Sequence, residues 1–260
     1  MSQRAKKSLG QNFLSDPNYI RKIVGAVDPE REDLIIEIGP GRGAITEHLV
    51  NSEAEVIAVE LDRDLIGPLR EKFSSRSNFR LVEGNALDVD FRRLADSAQS
   101  KLVANLPYYI STAILQKLSE QRDAFSFLIL MFQKEVVDRI TAPPGNSERG
   151  YLTVLTEIAF HVDKLFDVPP TAFRPVPKVT SSVLKLTPAP SVVENEQGFR
   201  HLISTAFVQK RKTLQNNLKA AHPDAAQVLE RAGLDGRRRA ESLSLDEWLR
   251  LYSALAVTGS

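Results

Sequence analysis

The fold of this chain is decided by the stretch Leu34-Ile35-Ile36-Glu37-Ile38-Gly39-Pro40-Gly41-Arg42-Gly43. A short apolar run ends there in alternating glycines, which predicts a buried strand followed by a tight turn. Residues 44–50 then have helical spacing, and residues 55–61 form a second apolar run. Strand, turn, helix and strand in this order make a βαβ unit, the building block of a parallel sheet.

The same alternation extends on both sides of this unit. Asp16-Pro17 has the signals of a helix start, and apolar residues recur at helical spacing as far as Val27. Further strands are predicted at 79–82, 102–105 and 125–132, with helices at 65–73 and 111–121, and the β-branched run 180–186 is one more candidate strand. The strands are almost continuously apolar, so we expect a mainly parallel sheet covered by helices on both faces.

The pattern changes after Pro188-Ala189-Pro190, which is the best candidate for a linker. Helices are predicted beyond it at 199–208, 213–220 and 225–232, and a last helix opens with Ser244 and Glu247, the residues of a capping box. We therefore expect two domains, an α/β domain over residues 1–188 and a small helical domain over residues 189–260.

Composition limits the classes of protein that this chain can belong to. Of its 260 residues, 42% are hydrophobic and 26% are charged, and no run of apolar residues is long enough to span a bilayer. The chain has no cysteine, which excludes disulfides, thiolate zinc sites and cysteine nucleophiles. Its first residues do not resemble a secretory signal. We expect a soluble, cytoplasmic protein that does not associate with membranes.

The glycine-rich turn lies where α/β proteins bind nucleotide-like cofactors, at the carboxyl end of the sheet. Its spacing is G-x-G-x-G, and position 44 is alanine. A nicotinamide oxidoreductase would need G-x-G-x-x-G to hold a pyrophosphate, so this class is disfavoured. Glu60 ends the second predicted strand, and a carboxylate there is better explained as a hydrogen-bond acceptor for a ligand than as part of the core.

A second motif, Asn105-Leu106-Pro107-Tyr108, follows the fourth strand. The exocyclic amine of adenine is a poor nucleophile because its lone pair is delocalised into the ring. Asn105 Oδ1 and the Pro107 carbonyl could accept hydrogen bonds from both N–H groups and localise that lone pair. Tyr108 would give a base held out of its helix a surface for stacking. A plain turn with a core tyrosine is the alternative.

Several motifs together resemble the bacterial small-subunit rRNA adenine N6,N6-dimethyltransferase family, over nearly the whole chain. They are Gly10-Gln11-Asn12-Phe13-Leu14, residues 37–43, Glu60, Asn105 to Tyr108, residues 173–179, and Arg211-Lys212-Thr213-Leu214-Gln215-Asn216-Asn217-Leu218. The first and last of these motifs are specific to the family in combination. The glycine loop is shared across methyltransferases.

The resemblance implies a class I methyltransferase fold, which is a Rossmann-like, mainly parallel seven-stranded sheet with a small all-helical C-terminal domain that contacts RNA. It also implies that S-adenosylmethionine is the methyl donor. The expected reaction is dimethylation of the N6 amine of two adjacent adenosines in a hairpin loop near the 3′ end of small-subunit (16S) rRNA, late in ribosome assembly. The expected partner is the small ribosomal subunit. The enzyme is expected to be a monomer.

The resemblance assigns roles to individual residues. The cofactor would be held by Asn12, the Leu14 backbone, Gly39, Gly41, Glu60, Asn85 and Asn105. Phe173 would stack on the flipped adenine opposite Tyr108, although a stiff polyproline-like loop is the alternative for this segment. Asn85 stands where the family usually has aspartate. It can still accept a hydrogen bond from the adenine amine of the cofactor, but without charge.

Recognition of RNA is expected to rest on phosphate contacts. Candidate basic clusters are Lys6-Lys7, Lys210 to Lys212 and Arg237 to Arg239. The alternative for each cluster is a solvated surface that does not bind RNA. The four histidines lack the spacing of metal ligands, and we expect no metal. Two rivals stay open: an antibiotic-resistance enzyme that methylates large-subunit rRNA, and an assembly or transcription factor that kept the fold without turnover.

Overall fold

The computed structural model of the protein describes Lys6 and residues 11–95, 100–106 and 110–256. The strands are β1 (Phe13–Leu14), β2 (Leu34–Ile38), β3 (Glu55–Glu60), β4 (Phe79–Glu83), β5 (Ser100–Asn105), β6 (Phe125–Gln133), β7 (Phe160–Val168), β8 (Phe173–Arg174) and β9 (Ser181–Pro188). The helices are α1 (Pro17–Val27), α2 (Ala44–Asn51), α3 (Arg63–Lys72), α4 (Phe91–Leu94), α5 (Ser111–Glu120), α6 (Lys134–Ile140), α7 (Tyr151–Ala159), α8 (Glu196–Ala206), α9 (Leu214–Leu218), α10 (Ala225–Arg231) and α11 (Leu245–Ala256).

Seven strands form one sheet in the order β4-β3-β2-β5-β6-β9-β7. The strands from β4 to β6 in this order run parallel, whereas β9 is antiparallel to both β6 and β7. The expected mainly parallel, seven-stranded α/β fold is therefore confirmed. A separate two-stranded sheet pairs β1 with β8, which are far apart in the sequence.

Helix α1 forms as its sequence predicts. The Asp16 side chain caps it by accepting a hydrogen bond from the Asn18 backbone N–H at 2.8 Å. Ile20, Ile23 and Val27 are buried at helical spacing and join a core cluster that also contains residues of α2, α3 and the central strands. Burial of these side chains against the sheet, rather than helix propensity, supplies most of the stability of such helices.

The chain divides into two compact units. The first unit contains Met1–Val137 and Phe160–Pro188, and the second contains Asp138–Ala159 and Ala189–Ser260. The break after residue 188 coincides with the expected domain boundary. Residues 138–159, however, group with the C-terminal segment and not with residues 1–188, because α7 packs against α8 and α11.

A buried arginine fixes residues 138–159 within the second unit. The Arg149 side chain is 0% exposed and forms two hydrogen bonds with the Glu157 carboxylate, at 2.6 and 2.7 Å. It also donates to the backbone carbonyls of Ala142 and Leu243, each at 3.0 Å. A charge this deeply buried persists only when it is paired and fully hydrogen-bonded, so these partners tie two distant parts of the sequence together.

The last helix begins as predicted with a capping box. The Ser244 backbone N–H donates to Glu247 Oε2 at 2.9 Å, and the Glu247 N–H donates to Ser244 Oγ at 3.3 Å. The patterns in the sequence did not indicate β1, β7, β8, α4, α6 or α7. Strand β7 is an edge strand with charged, exposed residues in its middle, so it lacks the apolar run that marks the central strands. None of the helices in the described ranges is both long and apolar enough to cross a membrane.

Candidate functional site

The glycine-rich turn after β2 adopts backbone conformations that favour glycine. Gly39, Gly41 and Gly43 have φ angles of 69°, 59° and 76°. A Cβ atom at position 41 would lie 3.0 Å from Phe13 Cδ1, and one at position 43 would lie 2.9 Å from Phe73 Cε2. The turn therefore needs glycine both for its backbone and for the close approach of neighbouring rings.

Glu60 at the end of β3 faces this turn and is only 6% exposed. Its Oε2 accepts a hydrogen bond from the Gly41 backbone N–H at 3.2 Å, and its Oε1 accepts one from the Asp62 N–H at 2.8 Å. Burial raises the pKa of the Glu60 carboxyl, although these two hydrogen bonds oppose the shift. Each oxygen keeps a further lone pair, so this carboxylate can accept hydrogen bonds from two ligand hydroxyls.

Lys6 and residues 11–15, called the arm below, precede α1, and residues 11–15 line this site. Phe13 and Leu14 form β1 and pair with Arg174 and Phe173 of β8. The Arg42 guanidinium lies over the Phe13 ring, 4.6 Å from its centroid, in a cation–π contact. The predicted cofactor residues Asn12 and Leu14 flank Phe13 in this arm.

These elements enclose a cavity of about 230 Å³. It is lined by Gln11, Asn12, Phe13, Leu14, Ser15, Glu37, Gly39, Pro40, Gly41, Arg42, Ala44, Ile45, Glu60, Leu61, Leu65, Asn105, Leu106, Phe173 and Arg174. The lining thus brings together seven predicted site residues, which are Asn12, Leu14, Gly39, Gly41, Glu60, Asn105 and Phe173. Glycine-rich turn, carboxylate and apolar walls are what a nucleoside cofactor requires.

Asn105 ends β5 and joins the acceptor motif to the arm. Its Nδ2 donates to the Asn12 carbonyl at 3.4 Å, and this orientation leaves Oδ1 as an acceptor. Leu106 is buried and its N–H donates to the Met131 carbonyl at 3.4 Å. Pro107 and Tyr108 lie outside the described residues, so their predicted roles stay predictions.

Phe173 lines the cavity, but its side chain is only 1% exposed and belongs to the core cluster of the sheet. A ring that stacks on a base must offer one face to it. The stacking role of Phe173 therefore stays a prediction, without support from the contacts that this structure describes.

Asn85 is not among the described residues that line the cavity. Its Oδ1 accepts a hydrogen bond from the Leu87 backbone N–H at 3.0 Å, and its carbonyl accepts one from the Asp88 N–H at 2.9 Å. These bonds hold an Asx turn, a role that both asparagine and aspartate can fill. The expected contact between Asn85 and the cofactor stays a prediction.

Four further residues of this region had no predicted role of their own. Leu61 directly follows Glu60, is 47% exposed and offers an apolar wall to the cavity. Glu37 is buried, and Thr46 Oγ1 donates to its Oε2 at 2.6 Å; burial raises the pKa of Glu37 to about 7. Gln11 and Asp62 form a hydrogen bond of 2.7 Å. Gln11 and Glu37 stand within the quoted motifs, which were the signals available in the sequence.

The predicted basic clusters differ in their surroundings. Lys210, Arg211 and Lys212 are all exposed, and the Lys210 Nζ donates to the Ser147 carbonyl at 2.7 Å. In the cluster Arg237 to Arg239 every arginine has an acidic partner: Arg237 with Asp235, Arg238 with Glu247 and Arg239 with Glu241. In the cluster Lys6-Lys7, Lys6 is ion-paired with Asp62 and Asp64, and Lys7 lies outside the described residues. Within the described ranges, no group of three His, Cys, Asp or Glu side chains could hold a metal ion.

The fold and the site define the class of this protein. A mainly parallel seven-stranded sheet with an antiparallel strand inserted next to its edge, a glycine-rich turn after β2 and a buried carboxylate ending β3 are the attributes of a class I S-adenosylmethionine-dependent methyltransferase. The cavity fits that cofactor, because Glu60 can accept from ribose hydroxyls and Leu61 offers an apolar surface.

Comparisons of the sequence with known proteins identify the family within the methyltransferase class. The family model described as ribosomal RNA adenine dimethylase matches residues 2–257. A relative from Saccharophagus degradans named ribosomal RNA small subunit methyltransferase A is 43% identical, with 97% of this chain and 95% of the relative covered. A protein of the same name from Xanthomonas axonopodis pv. citri is 44% identical, with 96% of each chain covered.

Two solved structures agree with this result. A dimethyladenosine transferase from Plasmodium falciparum superposes with a TM-score of 0.82 at 26% identity, covering 95% of this chain and 98% of its own. The 23S rRNA methyltransferase ErmE superposes with a TM-score of 0.70 at 25% identity, covering 94% and 100%. The chain therefore belongs to the ribosomal RNA adenine dimethylase family and is an S-adenosylmethionine-dependent methyltransferase of that family.

Proposed function

We propose that this protein dimethylates the N6 amines of two adjacent adenosines in a hairpin loop near the 3′ end of small-subunit (16S) rRNA, during biogenesis of the small ribosomal subunit. The observation that carries the proposal is that Asn105 of the acceptor motif and Glu60 of the cofactor site line one cavity. The names of relatives at 43% and 44% identity support the small subunit as the substrate.

The residues around the cavity have complementary tasks toward the cofactor. S-adenosylmethionine supplies, when bound, an electrophilic methyl group on its sulfonium. Glu60 accepts hydrogen bonds from the ribose, while Gly39 and Gly41 allow the close approach of the methionine portion. Asn12 and the Leu14 backbone close the site from the arm, and Asn85 accepts from the adenine amine.

The acceptor motif binds the target amine. Asn105 Oδ1 and the Pro107 carbonyl accept from the two N–H groups, which localises the lone pair on N6. Tyr108 and Phe173 hold the flipped base by stacking. Because the transfer disperses charge instead of creating it, these residues act by positioning the amine, and the reaction needs no strong general base.

The RNA is held by charge outside the cavity. The cluster Lys210-Arg211-Lys212 is the best candidate for phosphate contacts in the second unit. We place the enzyme in the cytoplasm as a monomer that meets the small ribosomal subunit there.

The test is methyl transfer from labelled S-adenosylmethionine to immature small ribosomal subunits, with large subunits as a second substrate. We expect dimethyladenosine on small subunits alone. Asn105→Ala should lower turnover by about a hundredfold, as misplaced reacting groups do, and leave subunit binding nearly intact. Asn18→Ala, which changes an exposed asparagine of α1, is the matched control and should behave as wild type.

Each alternative gives a different result. Label on large subunits would mean that the enzyme methylates 23S rRNA, the substrate given in the name of ErmE. Tight binding to small subunits without label would identify an assembly factor. Equal losses of binding and turnover in Asn105→Ala would contradict the role of this residue.

A further inference from the structure

We propose that Asp62 is a positioning residue that latches the arm over the cofactor cavity through Lys6 and Gln11, and that this latch sets how fast the cofactor leaves. The arm here means Lys6 and residues 11–15. The inference rests on the proposed use of the cavity for S-adenosylmethionine. It adds a residue that neither the glycine-rich turn nor the acceptor motif contains.

The latch is a compact set of polar contacts. The carboxylate of Asp62 is nearly buried, with 3% of its side chain exposed, and it forms an ion pair with Lys6 Nζ. Its second oxygen accepts from Gln11 Nε2 at 2.7 Å. Lys6 Nζ also forms an ion pair with Asp64 Oδ2, at 2.6 Å. Within the described ranges, Lys6 is the one cation that is ion-paired with Asp62.

The two arm residues are also joined to each other. The Lys6 N–H donates to Gln11 Oε1 at 2.9 Å, and the Gln11 N–H donates to the Lys6 carbonyl at 3.4 Å. The side chains of Lys6 and Gln11 therefore reach Asp62 as one unit. Residues 11–15 directly line the cavity, so displacing this unit removes part of the cavity wall.

Asp62 connects this wall to the ligand-binding carboxylate. Its own backbone N–H donates to Glu60 Oε1 at 2.8 Å, while its side chain holds the arm. At the opposite end the arm is fixed by the pairing of β1 with β8 and by the Ser15 N–H, which donates to the Ala172 carbonyl at 2.8 Å. Among the described residues, the end near Asp62 lacks such a strand pairing, and Asp62 holds it through the ion pair with Lys6 and the hydrogen bond from Gln11.

The strength of this ion pair depends on salt and on both charges. The Lys6 side chain is 38% exposed, so its attraction to Asp62 is weakened by dissolved ions. Removing Lys6 would leave the Asp62 carboxylate close to Glu60 without its counter-ion. Removing the charge of Asp62 should release the arm to a similar extent. Removing both charges together should release it little more than removing one of them.

The variants are chosen to preserve the fold. Asp62 also caps α3 by accepting from the Asp64 N–H at 3.1 Å, and asparagine is an equally good N-cap, so Asp62→Asn keeps the cap and removes the charge. Asp90→Asn makes the same change at the cap of α4, where Asp90 accepts from the Arg92 N–H at 3.1 Å, and is the matched control. Lys6→Met removes the cation, and Lys6→Arg restores it.

The experiment uses the full chain and two measurements. The first is the dissociation rate of S-adenosylhomocysteine, followed by displacement with excess S-adenosylmethionine. We expect Asp62→Asn and Lys6→Met each to raise it by about fivefold or more, with non-additive effects in the double variant and with rescue by Lys6→Arg. The second is trypsin cleavage of the arm in cofactor-free protein, which should be faster in Asp62→Asn than in Asp90→Asn and should converge with wild type at high salt.

The outcomes separate this inference from the proposed function. The latch is contradicted if Asp62→Asn matches Asp90→Asn in release rate and in arm cleavage. It is also contradicted if the effects of Asp62→Asn and Lys6→Met on the release rate simply add. In either case, methyl transfer by the wild type still supports the proposed function. If wild type binds no S-adenosylmethionine, the proposed function fails, and the cleavage measurement still decides whether Asp62 holds the arm.

Discussion

The Glu60 carboxylate accepts a hydrogen bond from the Gly41 backbone N–H at 3.2 Å, which joins the end of β3 to the glycine-rich turn. Both oxygens of this carboxylate face backbone donors, since Oε1 accepts from the Asp62 N–H. A glutamine at this position would turn its own NH₂ group toward one of these donors. The glutamine would thus lose both the charge and one of the acceptors that the proposed ribose contact uses.

Glu60→Gln should therefore lower the affinity for S-adenosylmethionine by about 2 kcal/mol, the usual worth of a hydrogen bond to a charged group. Calorimetric titration measures this directly. The matched control is Glu83→Gln, because Glu83 is the register partner of Glu60 on β4 and is exposed. Equal affinity of the two variants would contradict the assigned role of Glu60.

Gly43→Ala should destabilise the protein by about 2 kcal/mol, because alanine is strained at positive φ and its Cβ would meet the Phe73 ring. Gly25→Ala is the opposite case, since Gly25 lies in α1 and a Cβ there meets nothing within 4 Å. It should stabilise the protein by up to about 1 kcal/mol. Urea unfolding of both variants tests the pair, and destabilisation by Gly25→Ala would refute the steric argument.

Glu37 should make stability fall as the pH rises. Its folded pKa is raised from 4.5 to about 7, chiefly by burial, so between these values the folded state binds more protons than the unfolded state. The stability from this group is complete below its unfolded pKa and is lost as the pH rises through about 7.

Glu37→Gln should remove this dependence. The difference in unfolding free energy, wild type minus variant, should decrease by about 3 kcal/mol between pH 4 and pH 8. Urea unfolding of cofactor-free protein across this range measures it, with the exposed Glu32→Gln as control. A difference that is constant with pH would show that Glu37 titrates normally.

Asn85→Asp should raise cofactor affinity by a few-fold, because aspartate adds a charge to the acceptor proposed to bind the cofactor amine. The turn itself should not change, since aspartate can also accept from the Leu87 N–H. Titration with S-adenosylmethionine and a thermal melt of the cofactor-free protein separate the two effects. Unchanged or lower affinity would mean that Asn85 serves only the turn.

The basic clusters should contribute unequally to RNA binding. Neutralising Lys210, Arg211 and Lys212 should reduce the slope of log affinity against log salt by about one for each phosphate that the protein no longer neutralises. The same treatment of Arg237 and Arg239 should change it less, because these arginines are ion-paired with Asp235 and Glu241. Filter binding to small subunits at several salt concentrations checks this, and equal slopes for both sets would contradict it.

Patterns in the sequence predicted every central strand and the helices α2, α3 and α5, but not α4 or α6. Hydrophobic periodicity and turn residues are local properties, so they sufficed for β2 to β6 and for the caps of α1 and α11. The motifs added the class of cofactor, because a glycine-rich turn, Glu60 and Asn105 follow one another along a single βα series in the order typical of methyltransferases. The seven-stranded class I fold itself came from family resemblance.

Contacts between segments that are distant in the sequence became apparent only from the folded protein. Strand β7 is polar along its exposed edge, so nothing local in the sequence marked it or the insertion of β9 between β6 and β7. Residues 138–159 group with the C-terminal segment through the buried Arg149, which no periodicity could indicate. Lys6 and Asp62 are 56 residues apart, and β1 pairs with β8, which is also far from it in the sequence. Local patterns fix elements, whereas such pairings depend on side chains that come together only when the sheet and its helices have packed.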